Sequence, residues 1–205
     1  MNFHNSVHNA AAGLAAIEFG LNGYNATFSQ KDISFETALL TAARNLQSGR
    51  IQYAIVCAAD ENTPIINESL FNLNLVKTKT KRNGYIPSEG ATAFILERIF
   101  SIEEEKTEKI YTRLYNILSG NIPCLPWEYP DNLSSIQIPD DIISTTDYIF
   151  SGTNGLRQKD SLEKKLFENF KEINKDIQLC NLKNWFGDFS TSSAVEFYIA
   201  ALSLR

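Results

Sequence analysis

The sequence has few of the residues that carry most enzymatic chemistry. Its 205 residues include only two histidines, His4 and His8, and three cysteines, Cys57, Cys124 and Cys180. The cysteines are odd in number and scattered without a CxxC pair, which argues against a disulfide framework and suits a reducing compartment. The histidines stand four residues apart, but no third ligand accompanies them. The sequence therefore predicts no metal centre and no cofactor.

Long hydrophobic runs and an excess of positive charge are also absent. The longest strongly apolar run, residues 53–59, is far shorter than the ~20 residues that cross a bilayer. The N-terminus shows no signal-peptide pattern. A net charge of −5 offers no broad basic face for phosphates and argues against a general nucleic-acid binder. We expect one cytoplasmic domain over residues 1–205 with a sizeable core.

The first half of the chain alternates between helical and strand patterns. Small and apolar residues predict a buried helix over residues 5–19, and apolar spacing predicts an amphipathic helix over 33–47. A short β-prone run between them predicts a strand over 26–29. A continuous apolar run predicts a strand over 53–59 with both sheet faces covered. A further strand is predicted over 92–97, after a loop.

The second half repeats this alternation more loosely. Its patterns predict strands over 110–118, 148–150 and 177–182, helices over 159–170 and 190–204, and a proline-rich loop over 120–146. This rhythm implies a layered α/β domain with a mostly parallel or mixed sheet.

Four motifs occur in an order that resembles one known family. They are SVHNAAAG at 6–13, the turn–strand–helix unit 20–49 with the strand that follows it to 59–61, NGYIPSEGA at 83–91, and the pair SGTNG at 151–155 and KNWFGD at 183–188. They resemble motifs of the β-ketoacyl-acyl-carrier-protein synthases of the thiolase superfamily. The resemblance implies a reduced thiolase-like fold, α/β with helices layered on mixed sheets, that lacks the family's N-terminal and C-terminal elements. Residues 1–97 would be the half that carries the nucleophile, and 98–205 the second half.

The resemblance also identifies the positions at which the family keeps its catalytic groups. The family uses a cysteine at a sharp elbow before a helix, and two histidines that stabilise the enolate formed on decarboxylation. Here those positions hold Asp32, Ser151 and Asp188, and only Lys183 retains the family's polar residue. A carboxylate at Asp188 would repel an enolate. The resemblance therefore implies that none of these residues is catalytic and that the chain is not an enzyme.

Cysteine-less relatives of this kind, the chain length factors, form heterodimers with an active ketosynthase and shape its acyl tunnel. The SVHNA run resembles the short chain-length-factor-like subunits of aryl polyene and dialkylresorcinol-type pathways. The resemblance implies a catalytic β-ketoacyl synthase and an acyl carrier protein as partners. Asn2, Phe3 and Ser6 would reach across the interface, with Phe3 closing an apolar tunnel.

Local explanations and other functions remain open. Asp32 suits a helix N-cap, Lys183 a salt bridge and Ser151 a structural hydroxyl. The basic run 77–82 suits a solvated loop or the docking of an acidic carrier protein. The chain could also be a stand-alone acyltransferase or thioesterase-like enzyme that uses Ser151, Lys183 or Asp188, or a homodimeric acyl-binding protein.

Overall fold

The structure is a computed structural model that describes residues 8–99, 112–117 and 138–204. This part of the chain contains, in order, α1 (Ala10–Glu18), a 3₁₀ turn (Lys31–Ile33), α2 (Ser34–Gln47), β1 (Tyr53–Asp60), α3 (Pro64–Asn72), β2 (Gly90–Glu97), α4 (Asp140–Ser144), β3 (Tyr148–Phe150), α5 (Arg157–Ile173), β4 (Gln178–Cys180), α6 (Lys183–Phe186) and α7 (Ser192–Ser203). None of these helices is both long and apolar enough to cross a bilayer.

The larger sheet is the antiparallel pair β1–β2. Its register runs from Tyr53 opposite Glu97 to Asp60 opposite Gly90. The apolar stripe of α2 lies on one face, where Phe35 and Leu39 are buried together with Val56, Ala58 and Ala194. Because α7 supplies Ala194, this core joins an element near the C-terminal end of the described chain to the first half. The helix predicted over 33–47 and the strands predicted over 53–59 and 92–97 are confirmed.

Three phenylalanines fasten α7 to this sheet. Phe94 of β2 lies 5.1 Å from Phe197 of α7, and Phe35 of α2 lies 5.6 Å and 5.8 Å from those two rings, between centroids. Such aromatic clusters add to the free energy of burial through edge-on and tilted ring contacts. The position of α7 matters because residues just before this helix belong to the candidate site.

The smaller sheet is the parallel pair β3–β4, in which Tyr148 to Phe150 lie opposite Gln178 to Cys180. Ile143 of α4, Phe170 of α5 and Ile177 form its buried core. The predicted strand 148–150 is confirmed, as are helices at 159–170 and 190–204 within a few residues. The strand predicted over 177–182 is shorter, because the chain turns into α6 at Lys183.

Several predicted elements differ from the structure. Residues 26–29 are not a strand, because in the described chain no neighbouring strand pairs with them. Residues 112–117, the described part of the strand predicted over 110–118, are not a strand either. Of the buried helix predicted over 5–19, residues 5–7 lie outside the described residues, 8–9 form a turn, and α1 from Ala10 onward contains no buried residue. The predicted loop after β1 contains α3, whose start is set by Thr63 Oγ1 accepting from Ile66 N at 3.3 Å. The predicted 120–146 loop contains α4.

The face of the β1–β2 pair opposite α2 is exposed, which corrects the prediction of two covered faces. This exposed sheet face consists of Tyr53, Ile55, Cys57, Ala59, Ala91, Ala93, Ile95 and, at its edge, Glu97. Ile95 is 75% exposed although it lies opposite Ile55 in the ladder. Strict alternation between buried and exposed residues explains the pattern, since neighbouring side chains point to opposite faces.

Candidate functional site

The centre of the candidate site is a buried ion pair between Lys183 and Asp188. Lys183 Nζ lies 2.8 Å from Asp188 Oδ1, and the two side chains are 9% and 14% exposed. Asp188 Oδ1 also accepts from Ser192 Oγ at 2.9 Å, and Asp188 Oδ2 accepts from Asn154 Nδ2 at 2.6 Å. Both carboxylate oxygens therefore have partners, as a charge held away from water requires.

This environment keeps Asp188 ionised. Burial raises the pKa of its carboxyl, but the hydrogen bond and the positive charge of Lys183 outweigh that effect. Hydrogen bonds from Asn154 and Ser192 act in the same direction, so the pKa lies below its ordinary value. At neutral pH the position therefore holds a carboxylate neutralised by one ammonium group.

A glycine turn brings the segments 83–91 and 183–188 together. Gly187 ends α6 with a φ of +86°, and a Cβ built there would lie 2.6 Å from Ser88 Oγ and 2.7 Å from Ile86 O. Where the two segments approach each other, Asp188 N donates to Ile86 O at 2.8 Å, and Ser88 N donates to Asp188 O at 3.1 Å. Only glycine fits both the left-handed backbone and the close approach.

Ser151 is buried and engaged in hydrogen bonds. It is 5% exposed, and its Oγ donates to Glu163 Oε2 at 3.0 Å, lies 2.8 Å from Thr153 Oγ1 and accepts from Thr153 N at 3.1 Å. Among the described residues the one histidine is His8, in the turn before α1, and it makes no hydrogen bond with Ser151. The hydroxyl is thus held in place, with a carboxylate as its acceptor.

The loop after Ser151 is fixed by the start of α5. Asp160 accepts from Asn154 N and Gly155 N, each at 3.0 Å. This arrangement holds Asn154 where its amide reaches Asp188. Gly155 O in turn accepts from Gly84 N at 2.9 Å, which ties the segments 83–91 and 151–155 to each other.

Asp32 lies at a sharp elbow just before α2. Lys31 has a φ of +53°, which is uncommon for a residue other than glycine, and residues 31–33 form the 3₁₀ turn. The N-cap prediction for Asp32 is wrong, because the cap position is Ile33 and makes no side-chain cap. Ser34 Oγ stabilises the turn instead, because it accepts a hydrogen bond from Gln30 N and donates one to Lys31 O.

Tyr85 is influenced by the charges of both the elbow and the ion pair. Burial raises the pKa of Tyr85, and the negative charges of Asp188 and Asp32 add to the rise. The phenol therefore senses both negative charges. Direct contacts join Asp188, Lys183 and, through Asn154, the Ser151 loop, whereas Asp32 is linked to them here only through its charge at Tyr85.

Glu196 is a site residue that the sequence reasoning missed. It lies on α7, is 6% exposed, and its Oε1 has no hydrogen-bond partner. Burial raises its pKa to about 7, with Asp188 and Glu163 adding to the rise and Lys183 and Lys159 opposing it. The available signal was a glutamate that is the one charged residue of the helix 192–203.

Among the described residues, the cluster is built from carboxylates, hydroxyls, amides, the Tyr85 phenol and one ion-paired lysine. Cys57 is on the exposed sheet face, away from this cluster in the fold. Within the residues that the structure describes, no group of three or more histidine, cysteine, aspartate or glutamate side chains could hold a metal ion. The predicted tunnel residues Asn2, Phe3 and Ser6 lie outside the described residues.

Comparisons with known proteins give a consistent family and fold. Residues 1–99 match the family described as "Beta-ketoacyl synthase, N-terminal domain". A comparison with curated proteins returns no match. Among 77 matching chains of solved structures, a type II polyketide synthase acyl-carrier protein in complex with its ketosynthase bound to the hexaketide (AntDE:AntF) is 19% identical, with a TM-score of 0.73, over 95% of this chain and 53% of that one.

Two further matches differ in extent. The ketosynthase from module 6 of the bacillaene synthase of Bacillus subtilis 168 is 17% identical, with a TM-score of 0.72, over 98% of this chain and 40% of that one. The ishigamide ketosynthase/chain length factor is 27% identical, with a TM-score of 0.36, over 49% of this chain and 25% of that one. This chain thus spans 53% and 40% of the length of the first two ketosynthase chains described. Because the sequence identities are only 19% and 17%, these two matches show a shared fold and no more.

Proposed function

We propose that this β-ketoacyl-synthase-like chain is a non-catalytic subunit of the chain-length-factor type. The proposal starts from the match of residues 1–99 to that family's N-terminal domain and from the thiolase-like ketosynthase fold. The chain pairs with an active β-ketoacyl synthase while a polyketide, polyene or fatty acyl chain is made. The division into halves at residues 97 and 98, and a cytoplasmic location, are parts of the same proposal.

The observation that carries this proposal is the Lys183–Asp188 ion pair. The family resemblance aligns Asp188 with a histidine that stabilises the enolate, but here the position holds a carboxylate with both oxygens occupied. A carboxylate whose charge is balanced by Lys183 offers an enolate neither a hydrogen-bond donor nor a positive charge, whereas catalysis requires groups aimed to stabilise the transition state. Lys183 is neutralised by the same contact, which supports a structural role for both residues.

The other two aligned positions support the same conclusion. Asp32 occupies the elbow, where a carboxylate is a far weaker acyl acceptor than a thiolate. Ser151 is buried and donates to Glu163, without a histidine to accept its proton among the residues described. A stand-alone acyltransferase or thioesterase that uses Ser151 therefore finds no support in this geometry.

Exposed apolar surfaces favour association with another protein. Ile95 on the exposed sheet face and Ile17 of α1 are 75% and 80% exposed, and Ile65 and Phe71 of α3 are also exposed. Scattered apolar residues are normal, but an apolar sheet face together with two apolar helices marks a site of interaction. A protein partner would bury these surfaces, which fits a heterodimer.

The basic run 77–82 supports contact with an acyl carrier protein. Lys77, Lys79 and Arg82 are exposed, while Lys81 Nζ donates to Asn74 O and shapes the loop. A local positive charge on a chain of net charge −5 attracts acidic proteins by long-range steering, and this effect weakens with salt.

The decisive experiment is co-expression of this chain with a candidate partner ketosynthase and measurement of the native mass. We expect a one-to-one heterodimer, whose activity in chain extension disappears when the partner's nucleophile is removed. A monomer or homodimer that does not bind the ketosynthase would overturn the proposal, as would decarboxylation of malonyl carrier by this chain alone.

The tunnel residues allow a second, sharper test on the heterodimer. Phe3→Ala should lengthen the acyl product by removing the aromatic plug, while the heterodimer stays intact. The matched control is Phe19→Ala, the same truncation at an exposed phenylalanine after α1. An unchanged product distribution with Phe3→Ala would remove Phe3 from the tunnel.

A further inference from the structure

Glu196 is a buried acid with no structural partner for one of its oxygens. It is 6% exposed, and Oε1 lies away from water without a hydrogen bond. A carboxylate in such a place is costly, because an isolated buried charge loses its hydration without compensation. A protonated carboxyl avoids most of that cost and can donate its own hydrogen.

The charged groups around Glu196 come from three segments. α5 presents Lys159 and Glu163, α6 presents Lys183, and the turn before α7 presents Asp188. Lys183 forms its ion pair with Asp188, with its Nζ 2.8 Å from Asp188 Oδ1, and so does not neutralise Glu196 directly. Glu163 in turn accepts from Ser151. Among the described residues, neither Lys159 nor Lys183 forms an ion pair with Glu196.

We propose that Glu196, buried with Oε1 unpartnered, takes up a proton when the chain folds and releases it as the pH rises, which weakens the packing of α7 on the polar cluster. The group works as a pH-sensitive element built beside the Lys183–Asp188 pair. It is independent of the proposed partner function, because it concerns the stability of this chain alone.

The direction of the pH dependence follows from proton linkage. The pKa of Glu196 in the folded chain is about 7, compared with an ordinary value of 4.5. Between those values the folded chain binds more protons than the unfolded chain, so stability falls as the pH rises through this window. Above the folded pKa the loss is complete, and the folding equilibrium constant should be lower on the order of 10²-fold.

The test compares urea unfolding of the full chain and of Glu196→Gln from about pH 5 to about pH 8. Glutamine keeps the shape but cannot ionise, so we expect the midpoint of the variant to vary much less than that of the wild-type chain. The difference between the two proteins cancels contributions from the two histidines. The matched control is Glu172→Gln, at an exposed carboxylate on α5, which should keep the wild-type pH dependence.

Equal slopes for the wild-type chain and Glu196→Gln would overturn the proposal. If Glu196→Gln does not fold, infrared difference spectra of the wild-type chain decide the matter. The carbonyl band of a protonated carboxyl should be present near pH 6 and lost near pH 8, and a spectrum without a protonated carboxyl near pH 6 would equally overturn it.

Discussion

Replacing Lys183 with methionine should remove about 3 kcal/mol of folding free energy at neutral pH. The pair is buried, with 9% and 14% of its side chains exposed, and breaking such a pair costs about 3–5 kcal/mol. We expect the lower end, because Asn154 and Ser192 still donate to the remaining carboxylate. A loss of about 3 kcal/mol reduces the folding equilibrium constant by roughly two decades.

The loss should shrink as the pH falls. In the wild-type chain the pKa of Asp188 is held below its ordinary value of 3.8, so the ion pair stabilises the fold at neutral pH and its contribution fades only as the pH falls through that low pKa. Without Lys183, burial raises the pKa of Asp188, so this residue protonates more readily on folding. The difference in stability between wild type and variant should therefore be smaller near pH 4.5 than near pH 7.

Urea unfolding followed by circular dichroism measures both effects. The double variant Lys183→Met/Asp188→Asn should recover at least half of the loss, because no unpaired charge remains. Lys175→Met, at an exposed lysine, should stay within about 0.5 kcal/mol of wild type. A loss below about 1 kcal/mol with Lys183→Met, or a loss independent of pH, would refute the reasoning.

Three other predictions concern the turn, the core and the chemistry. Gly187→Ala should cost about 1–3 kcal/mol in urea unfolding, because the φ of +86° and the 2.6 Å approach to Ser88 leave no room for a methyl group; wild-type stability would contradict this geometry. Leu39→Ala, at a core position 4% exposed, should cost about 2–5 kcal/mol, and thermal unfolding that shows a much smaller change would place Leu39 outside the core. The triple variant Asp32→Cys/Ser151→His/Asp188→His should still not release CO₂ from a malonyl carrier, because it removes the hydrogen bonds that order the site; measurable decarboxylation would show that these contacts are dispensable.

Regular elements with a strong pattern were predictable from the sequence alone. The period and length of an apolar pattern distinguish a helix from a strand. They therefore predicted α2 from its apolar stripe, and β1 and β3 from their continuous apolar runs. The run 26–29 has strand propensity, but propensity yields a strand only where another strand pairs with it. For α3, the capping threonine and the following proline were the overlooked signals.

The sequence also predicted which residues belong to the candidate site, but not which of their side chains are in contact. The family motifs identified Asp32, Ser151, Asp188 and Lys183 as positions, because motif order and spacing are properties of the chain. That Asp188 is bound to Lys183, and Ser151 to Glu163, depends on which side chains the folded loops bring within about 3 Å of each other.

The sequence by itself determined the likeness of residues 1–99 to the N-terminal domain of β-ketoacyl synthases, most of the alternation of helices and strands, and the small number of cysteines and histidines. Only the tertiary structure decided which side chains contact one another at the candidate site. It tied the turn at Gly187 to residues 86–88, directed Glu196 on α7 toward buried charges, and left one apolar face of the β1–β2 pair uncovered. Burial and electrostatic environment are set by distances between residues far apart in the chain, and these distances exist only once the chain has folded.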